Sequence, residues 1–426
     1  MNDGGAAGEG APGKLQAGGF DLSRIRTIDG VDVRGKRVLI RVDFNVPIEG
    51  GKVADDTRIK RVLPTISKLS RAGAIVIVLS HLGRPKGVIN PETSLKPIAA
   101  KMQELMPGTN VRFIGDCIGE EVKRGLAALK PGDVAVLENL RFYPGEETNH
   151  PVFAKQLAAH GDIYVNDAFS SAHRANASID AIAGLLPSYA GLLMMAEIRA
   201  LGEALEQPER PVMAIVGGAK VSTKIEVLTN LAARVDRLVV GGGMANTFLK
   251  AKGVEIGKSF CEPDFADTAK DIMARAEQSG CEIVLPSDAV VAKELKAGAE
   301  WQACPVEAIP ADAMILDVGP ESLADLKRRV AEVKTVLWNG PLGAIETPPF
   351  GEGTFALARE VARLTKEGKL ISVAGGGDTV RALNEAQAAG DFTYVSTAGG
   401  AFLEWLSGKE LPGVVALTRS SARAPN

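Results

Sequence analysis

Basic side chains crowd the turns of the first half of this 426-residue chain: Arg41, Arg58, His81, Arg84, Arg141, His173 and Arg174. Guanidinium groups make bidentate, charge-assisted hydrogen bonds to carboxylates and phosphates, so this set predicts a grip on a small, highly charged anion. The second half carries glycine runs in the same kind of turn: Gly217-Gly218-Ala219-Lys220, Gly241-Gly242-Gly243 and Gly375-Gly376-Gly377-Asp378-Thr379. Glycine lets backbone come close to a ligand, and the free N–H groups of a helix start bind phosphate oxygens. The second ligand expected is therefore a nucleotide, and a group passed between the two anions must cross a cleft.

Each of these residues has an ordinary alternative. A single arginine after a strand is usually a solvated surface residue, but successive turns supplying arginine or histidine at the same strand ends shift the balance. Asp43 and Asn45 can cap a turn, or take the hydroxyl groups of a polyol acid, since a carboxylate accepts and an amide does both. Lys220 and Lys224, four apart in Gly217–Lys224, would share one face of the first helical turns; ordinary surface lysines are the plainer reading. Asp378 suits an N-cap or, beside phosphates, a magnesium ion. Glu346, after Trp338-Asn339-Gly340-Pro341-Leu342-Gly343, could accept from ribose hydroxyls.

The elements that must hold these turns read as α/β. Short apolar, β-branched runs recur at 38–44, 74–79, 111–113, 134–137 and 163–165, then at 212–216, 237–240, 283–285, 314–316, 335–338, 370–374 and 394–396. Most are continuous rather than alternating, the mark of parallel strands covered on both faces. Helical spacing appears at 56–71, 91–106, 152–160, 221–234, 265–279 and 354–367. Pro64 predicts a late start or a kink in the first of these. In open parallel sheets, ligands bind outside the carboxyl ends of the strands, where the basic and glycine-rich turns fall.

Length predicts two domains. A helix over 195–207 followed by Pro208-Glu209-Arg210-Pro211 marks the boundary. The N-terminal domain is expected at 20–207, with 408–426 returning to it, and the C-terminal domain at 208–407. The first 19 residues, with seven glycines and four alanines and no apolar block, read as a disordered tail rather than a signal peptide.

Composition excludes other classes. A net charge of -3 with no basic-aromatic block argues against nucleic acid as a partner. The stretch 181–196 is too short to span a bilayer and reads as buried helix and turn, so no membrane is implied. Cys117, Cys261, Cys281 and Cys304 lack ligand or disulfide spacing and fit buried thiols in a reducing cytoplasm. Nothing in the pattern argues against a monomer. Gly351-Glu352-Gly353-Thr354-Phe355-Ala356 matches Gly-x-Gly-x-x-Ala, but Pro348 and Pro349 precede it instead of a strand, which makes it a decoy.

Taken together, Arg41-Val42-Asp43-Phe44-Asn45-Val46-Pro47, Ser80-His81-Leu82-Gly83-Arg84-Pro85, Glu138-Asn139-Leu140-Arg141-Phe142, Asn166-Asp167-Ala168-Phe169, Gly217-Gly218-Ala219-Lys220-Val221-Ser222, Trp338-Asn339-Gly340-Pro341 and the Gly375–Thr379 run resemble phosphoglycerate kinases, in order, from about residue 20 to the C-terminus. The resemblance implies two doubly wound, Rossmann-like parallel-sheet domains joined by a helical hinge. It also implies reversible phosphoryl transfer between 1,3-bisphosphoglycerate and Mg-ADP, giving 3-phosphoglycerate and Mg-ATP, with Mg2+ as cofactor.

Carried over by position, it assigns Asp43, Asn45, Arg58, His81, Arg84, Arg141 and Arg174 to the phosphoglycerate. Gly218, Lys220, Lys224, Gly242, Asn339, Pro341, Glu346, Gly375, Gly376, Gly377, Asp378 and Thr379 go to the nucleotide, with Asp378 at the metal. Arg58, Lys220, Gly376 and Gly399 are the implied catalytic set, Lys220 meeting the transferred phosphoryl group. The chain departs from the family pattern at Ser170 and Ser171, where Gly-Thr is usual, at Asn176, where His is commoner, and at Ala398 and Phe402 in the late glycine motif. Ala398 is expected to narrow the backbone's approach to the phosphate and so to affect turnover. Two other classes remain open: a dinucleotide-dependent dehydrogenase, which needs Gly-x-Gly-x-x-Gly and a distal acid not found together here, and a non-catalytic phosphate-binding regulator, against which Arg58, Lys220 and Asp378 speak.

Overall fold

Continuous apolar runs become the interiors of two parallel sheets. The computed structural model describes residues 16–17, 20–21 and 24–419. Most of the expected 1–19 tail, and residues 420–426 of the expected return segment, therefore lie outside the described residues. β1 (Arg37–Arg41), β2 (Ile75–Leu79), β3 (Val111–Ile114), β4 (Val134–Leu137), β5 (Ile163–Asn166) and β6 (Ser188–Ala190) form the first sheet, in the order β6-β5-β1-β2-β4-β3, all parallel. Alternate residues feed opposite faces: Val38 and Ile40 enter one core, Leu39 and Ile77 the other. Covering on both faces is why these strands read as unbroken apolar runs.

β7 (Val212–Val216), β8 (Arg237–Val240) and β9 (Glu282–Val284) lead into a small second layer made of β10 (Asp288–Ala292), β11 (Trp301–Pro305) and β12 (Met314–Val318). β13 (Thr335–Asn339), β14 (Ile371–Gly375) and β15 (Tyr394–Ser396) then complete the second parallel sheet, in the order β9-β8-β7-β13-β14-β15. The fold is α/β with two doubly wound parallel sheets. In each, the chain reverses direction at an internal pair, β1/β5 and β7/β13, and leaves its crevice there.

Several expectations need correction. β1 ends at Arg41 rather than residue 44, because Ser80 takes over the ladder: its hydroxyl accepts from Phe44 N at 2.9 Å and donates to Val42 O at 2.8 Å. The run expected at 314–316 is not a central parallel strand. It pairs antiparallel with β10 in a three-stranded sheet, since the only helical segment between 285 and 314 is a three-residue 3-10 turn, Val306–Ala308, with no α-helix to make a crossover. The 181–196 stretch holds a short 3-10 turn, strand β6 and the start of a helix. Pro64 neither delays nor ends its helix, which runs Thr57–Arg71. Both Pro64 and Lys60 are exposed, so the carbonyl left without its N–H partner can bond to water. Cys261 and Cys304 are only half-buried, unlike Cys117 and Cys281.

The connection between the sheets is helical. Leu192–Leu201 is α-helix and Gly202–Glu206 widens into a π turn, closed by Gln207 N donating to Gly202 O at 3.1 Å. At the far end, the Pro412–Thr418 helix sits against the first half: Gly413 N donates to Ala172 O at 2.8 Å, and Arg419 Nη1 to Asp180 Oδ1 at 2.8 Å. Among the described residues, no helix is long and apolar enough to cross a membrane.

Phe402 turns out to be a core residue. It is fully buried in the Gly399–Leu406 helix, and a Cβ added at Gly375 would stand 2.7 Å from its ring. The ring thus fills the space under the end of β14 that a side chain at Gly375 would need. Phe402→Ala is expected to lower the unfolding free energy by about 3 to 5 kcal/mol, read from urea denaturation.

Candidate functional site

The turn after β1 is built by its own side chains. Asp43 Oδ1 accepts from Asn45 N at 2.9 Å, and Asn45 Oδ1 accepts from Gly83 N at 2.9 Å, which locks the turns after β1 and β2 together. Arg58, near the start of the Thr57–Arg71 helix, donates from Nη1 to Asp43 Oδ2 at 3.0 Å and to Asn45 O at 3.1 Å. The Ser170 hydroxyl donates to the same Asp43 oxygen, so the serine that departs from the family pattern supports this turn.

Charge on this side is finely divided. Burial pushes the Asp43 carboxyl up, while His81 when protonated, Arg58 and the Ser170 hydroxyl bring it below its usual range. Burial, and then Arg41, drive His81 well below its ordinary value, so its ring is neutral at neutral pH and Arg58 is the lasting counter-charge on Asp43. His81 Nδ1 lies 3.0 Å from Arg41 Nη2. Arginine only donates, so Nδ1 accepts and the ring proton sits on Nε2, 4.0 Å from Asp43 Oδ1.

Arg41 does not belong to the gripping set. It is 1% exposed, with Nε donating to Ser178 Oγ at 2.8 Å and Nη1 to Val42 O, and it stands 3.9 Å from Glu146. Glu146 is itself fully buried and accepts from Ser178 N and Oγ. A buried carboxylate requires a cation, and Arg41 supplies it from beneath the site.

The remaining cations face one cavity of about 390 Å³ between the two sheets. Arg84 is exposed there and has no hydrogen bond or ion pair among the described residues. Arg174 is exposed too and donates from Nε to His173 Nε2 at 3.1 Å. Arg141 is held by Gly83 O at 2.7 Å and by Glu147 at 3.3 Å. Opposite them, Gly377, Gly399 and Gly400 border the same cavity, and a Cβ on Gly400 would lie 3.2 Å from the His173 ring. The cationic turns and two helix starts therefore confront one another directly. Ala398, expected to crowd this approach, borders the cavity yet is only 2% exposed and belongs to the apolar core with Phe402 and Trp405.

On the second sheet, the turns after β7 and β13 nearly touch: a Cβ at Gly217 would stand 1.9 Å from Pro341 O, so only glycine fits. Gly218, Gly242, Pro341, Glu346 and Asp378 line a second cavity of about 480 Å³. Gly376, at φ 100°, caps the Gly377–Glu385 helix. Asn339 and Thr379 are tied into the scaffold, Asn339 Nδ2 donating to Gly375 O at 2.7 Å and Gly340 N to Thr379 Oγ1 at 2.7 Å. Asp378 is exposed at the second position of its helix and has no hydrogen bond or ion pair among the described residues.

The two lysines separate. Lys220 is extended backbone (φ -122°, ψ 124°) ahead of a 3-10 turn, not a helix face shared with Lys224. It is exposed, and its ammonium borders neither cavity. Lys224 is largely buried and bonds Gly217 O at 2.6 Å, Asn339 O at 3.1 Å and Asn339 Oδ1 at 2.6 Å, using all three protons. Phe260, Leu295, Met314 and Leu316 also line the second cavity, and none of them is among the expected site residues. Phe260 and Leu295 are 51% and 53% exposed. Leu295 does carry a signal in the sequence, as a lone apolar residue between Glu294 and Lys296, whereas Phe260, between Ser259 and Cys261, carries none.

Residues 28–409 match the family model described as phosphoglycerate kinase. The chain belongs to the phosphoglycerate kinase family. It is 60% identical over 397 residues to the phosphoglycerate kinase of Methylorubrum extorquens (strain PA1), covering 93% of this chain and 99% of that one. It is 60% identical over 392 residues to that of Ruegeria sp. (strain TM1040), covering 92% and 99%. Among solved structures, phosphoglycerate kinase from Coxiella burnetii superposes with a TM-score of 0.86 at 42% identity, over 92% of this chain and 99% of that chain. The Pyrococcus horikoshii OT3 enzyme gives 0.77 at 30% identity, over 92% and 98%. The protein is a phosphotransferase of the phosphoglycerate kinase type, with ATP and ADP as substrates.

Burial lowers the Lys224 ammonium to about 8, with Asp378 pulling the other way. Between that value and the ordinary 10.5, the unfolded chain binds the proton more tightly, so this group by itself makes stability rise with pH in that window. A bound phosphate favours the charged form. ADP binding at about pH 8.5 is therefore expected to take up protons, seen as a calorimetric enthalpy that varies with buffer ionisation heat; Lys224→Met should abolish the variation.

Proposed function

We propose that residues 20–207 bind 3-phosphoglycerate, residues 208–407 bind the Mg-nucleotide, and closure about the connection near 195–211 brings the two together for transfer. The observation that carries this reading is the single cavity bordered by Arg58, Arg84, Arg141 and Arg174 on one wall and by Gly377, Gly399 and Gly400 on the other. Asp43, Asn45 and His81 orient the glycerate, and the arginines take its phosphate and carboxylate. Glu346 receives the ribose, and the Gly375–Thr379 turn holds the phosphates. The π turn at Gly202–Glu206 supports a hinge there, since such widened turns recur at functional sites.

In the ATP-forming direction, a terminal oxygen of ADP attacks the acyl phosphorus. The P–O bond to the carboxyl group breaks, and the carboxylate leaves with the electron pair. The nucleophile is already an anion, so no proton moves and no general base is needed, unlike transfer to a hydroxyl. The work is positioning and charge neutralisation. At roughly 4 Å each pair of like unit charges costs about 4 kcal/mol at an effective dielectric near 20; Arg58, Lys220 and the helix starts offset this. Closure must carry the exposed Lys220 to the phosphoryl group and exclude water.

Asp378 suits a magnesium ion, being an exposed carboxylate that lines the second cavity and has no hydrogen bond or ion pair among the described residues. The ion would take that carboxylate with phosphate oxygens and neutralise their charge. We extend the reading to a monomeric cytoplasmic enzyme, in keeping with four unpaired thiols.

A coupled assay of ATP formation, with and without magnesium, tests the whole reading: activity should require the metal. Lys220→Ala is expected to lower kcat by about 10²- to 10⁴-fold, with little change in nucleotide affinity; wild-type turnover would remove its role. Arg58→Ala should lower kcat/KM for phosphoglycerate, and an unaltered value would end that assignment.

A further inference from the structure

Arg61 lies one turn beyond Arg58 on the Thr57–Arg71 helix, and nothing in the transfer scheme uses it. Its guanidinium nevertheless reaches across to the other sheet. Nη1 donates to Thr397 Oγ1 at 2.6 Å and Nη2 to Tyr394 Oη at 2.9 Å. The guanidinium carbon stands 5.7 Å from the centre of the Tyr394 ring. Nη2 is also 3.7 Å from Glu197 Oε1, on the Leu192–Leu201 helix of the connection. Glu197 is 2% exposed, and its second oxygen has no hydrogen-bond partner, so Arg61 is the cation that compensates this buried carboxylate.

One side chain thus joins the helix bearing Arg58, the connecting helix and the end of β15. Arg58, Arg61, Glu197 and Thr397 border the same small interior gap between the sheets. Thr397 stands two residues before Gly399, the first residue of the Gly399–Leu406 helix whose start faces the arginine cavity. A guanidinium directs its N–H groups along fixed lines in one plane, so holding two hydroxyls at once sets the direction of the turn as well as its distance. Arg61 touches no reacting atom.

We propose that Arg61 is a positioning residue, which registers the Thr397–Gly399 turn against the helix that carries Arg58, so that the two walls of the transfer cavity meet in one alignment. This rests on the transfer reading above. The effect should fall on turnover, because small misplacements of reacting groups are costly, and not on nucleotide affinity, because none of these residues lines the nucleotide cavity.

The test uses the full chain with Arg61→Ala, Thr397→Val and the double variant. Arg61→Ala should lower kcat about tenfold while KM for ADP stays within about twofold, and the double variant should be no slower than the slower single one, since both remove one contact. A kcat for Arg61→Ala within about twofold of wild type, or losses that multiply in the double variant, would overturn the proposal. Tyr394→Phe keeps the ring and removes only the hydroxyl, so it serves if Arg61→Ala fails to fold: a kcat drop of about threefold or more is expected, and no drop counts against the strut. Small-angle scattering of the substrate-free proteins reads the same contact without catalysis. Loss of Arg61 should raise the radius of gyration, and an unchanged radius refutes the strut. A wild-type chain without transfer activity would overturn the proposed function instead, leaving scattering alone to decide on Arg61.

Discussion

Two polyanions that must touch repel one another, and the distribution of charge in this protein follows from that constraint. One sheet edge presents guanidinium groups and the other presents backbone N–H groups at helix starts. On the proposed assignment the difference suits the ligands: a small acid with two compact anionic ends would be matched by planar forks, whereas a chain of phosphates would be better followed by closely approaching backbone. Clustered arginines repel each other as well. Asp43 and Glu147 pair with Arg58 and Arg141, and a neutral His81 avoids adding one more positive charge to the group.

Beneath both edges lies a scaffold of polar contacts that hold the turns still. On the first side it is Arg41, Glu146 and Ser178, all shielded from solvent. On the second it is Lys224 and Asn339, which tie the ends of β7, β13 and β14 together. In both places a charge is buried among oxygen acceptors and the exposed cations are left to the ligand. Rigid edges of this kind cannot adapt individually to a moving phosphate, so the proposed closure would have to pass through the few segments that link the sheets, where the widened turn at Gly202–Glu206 and the Arg61 contacts are found.

The order of elements and most strand positions are legible in the residues alone, because parallel strands buried on both faces leave a continuous apolar pattern, as at Val212–Val216 and Val134–Leu137. The glycine turns are legible too: close approach of two backbones, as between Gly217 and Pro341, admits no other residue. The antiparallel layer of β10, β11 and β12 is not. A short apolar run such as Met314–Val318 carries no mark of its partner's direction, which depends on the length and course of the intervening chain.

Residue types at the two strand edges, and the alternation of strand and helix that delivers them there, are written directly in the sequence. Which of the cations are free is settled by packing. Arg41 and Arg84 both occupy strand ends or the turns after them, yet one is sealed against Glu146 and the other stands open in the cavity. Lys220 and Lys224 divide in the same way, one exposed and one with all its protons engaged. Whether a charged side chain is available depends on burial and on partners contributed by distant segments, and local spacing contains neither.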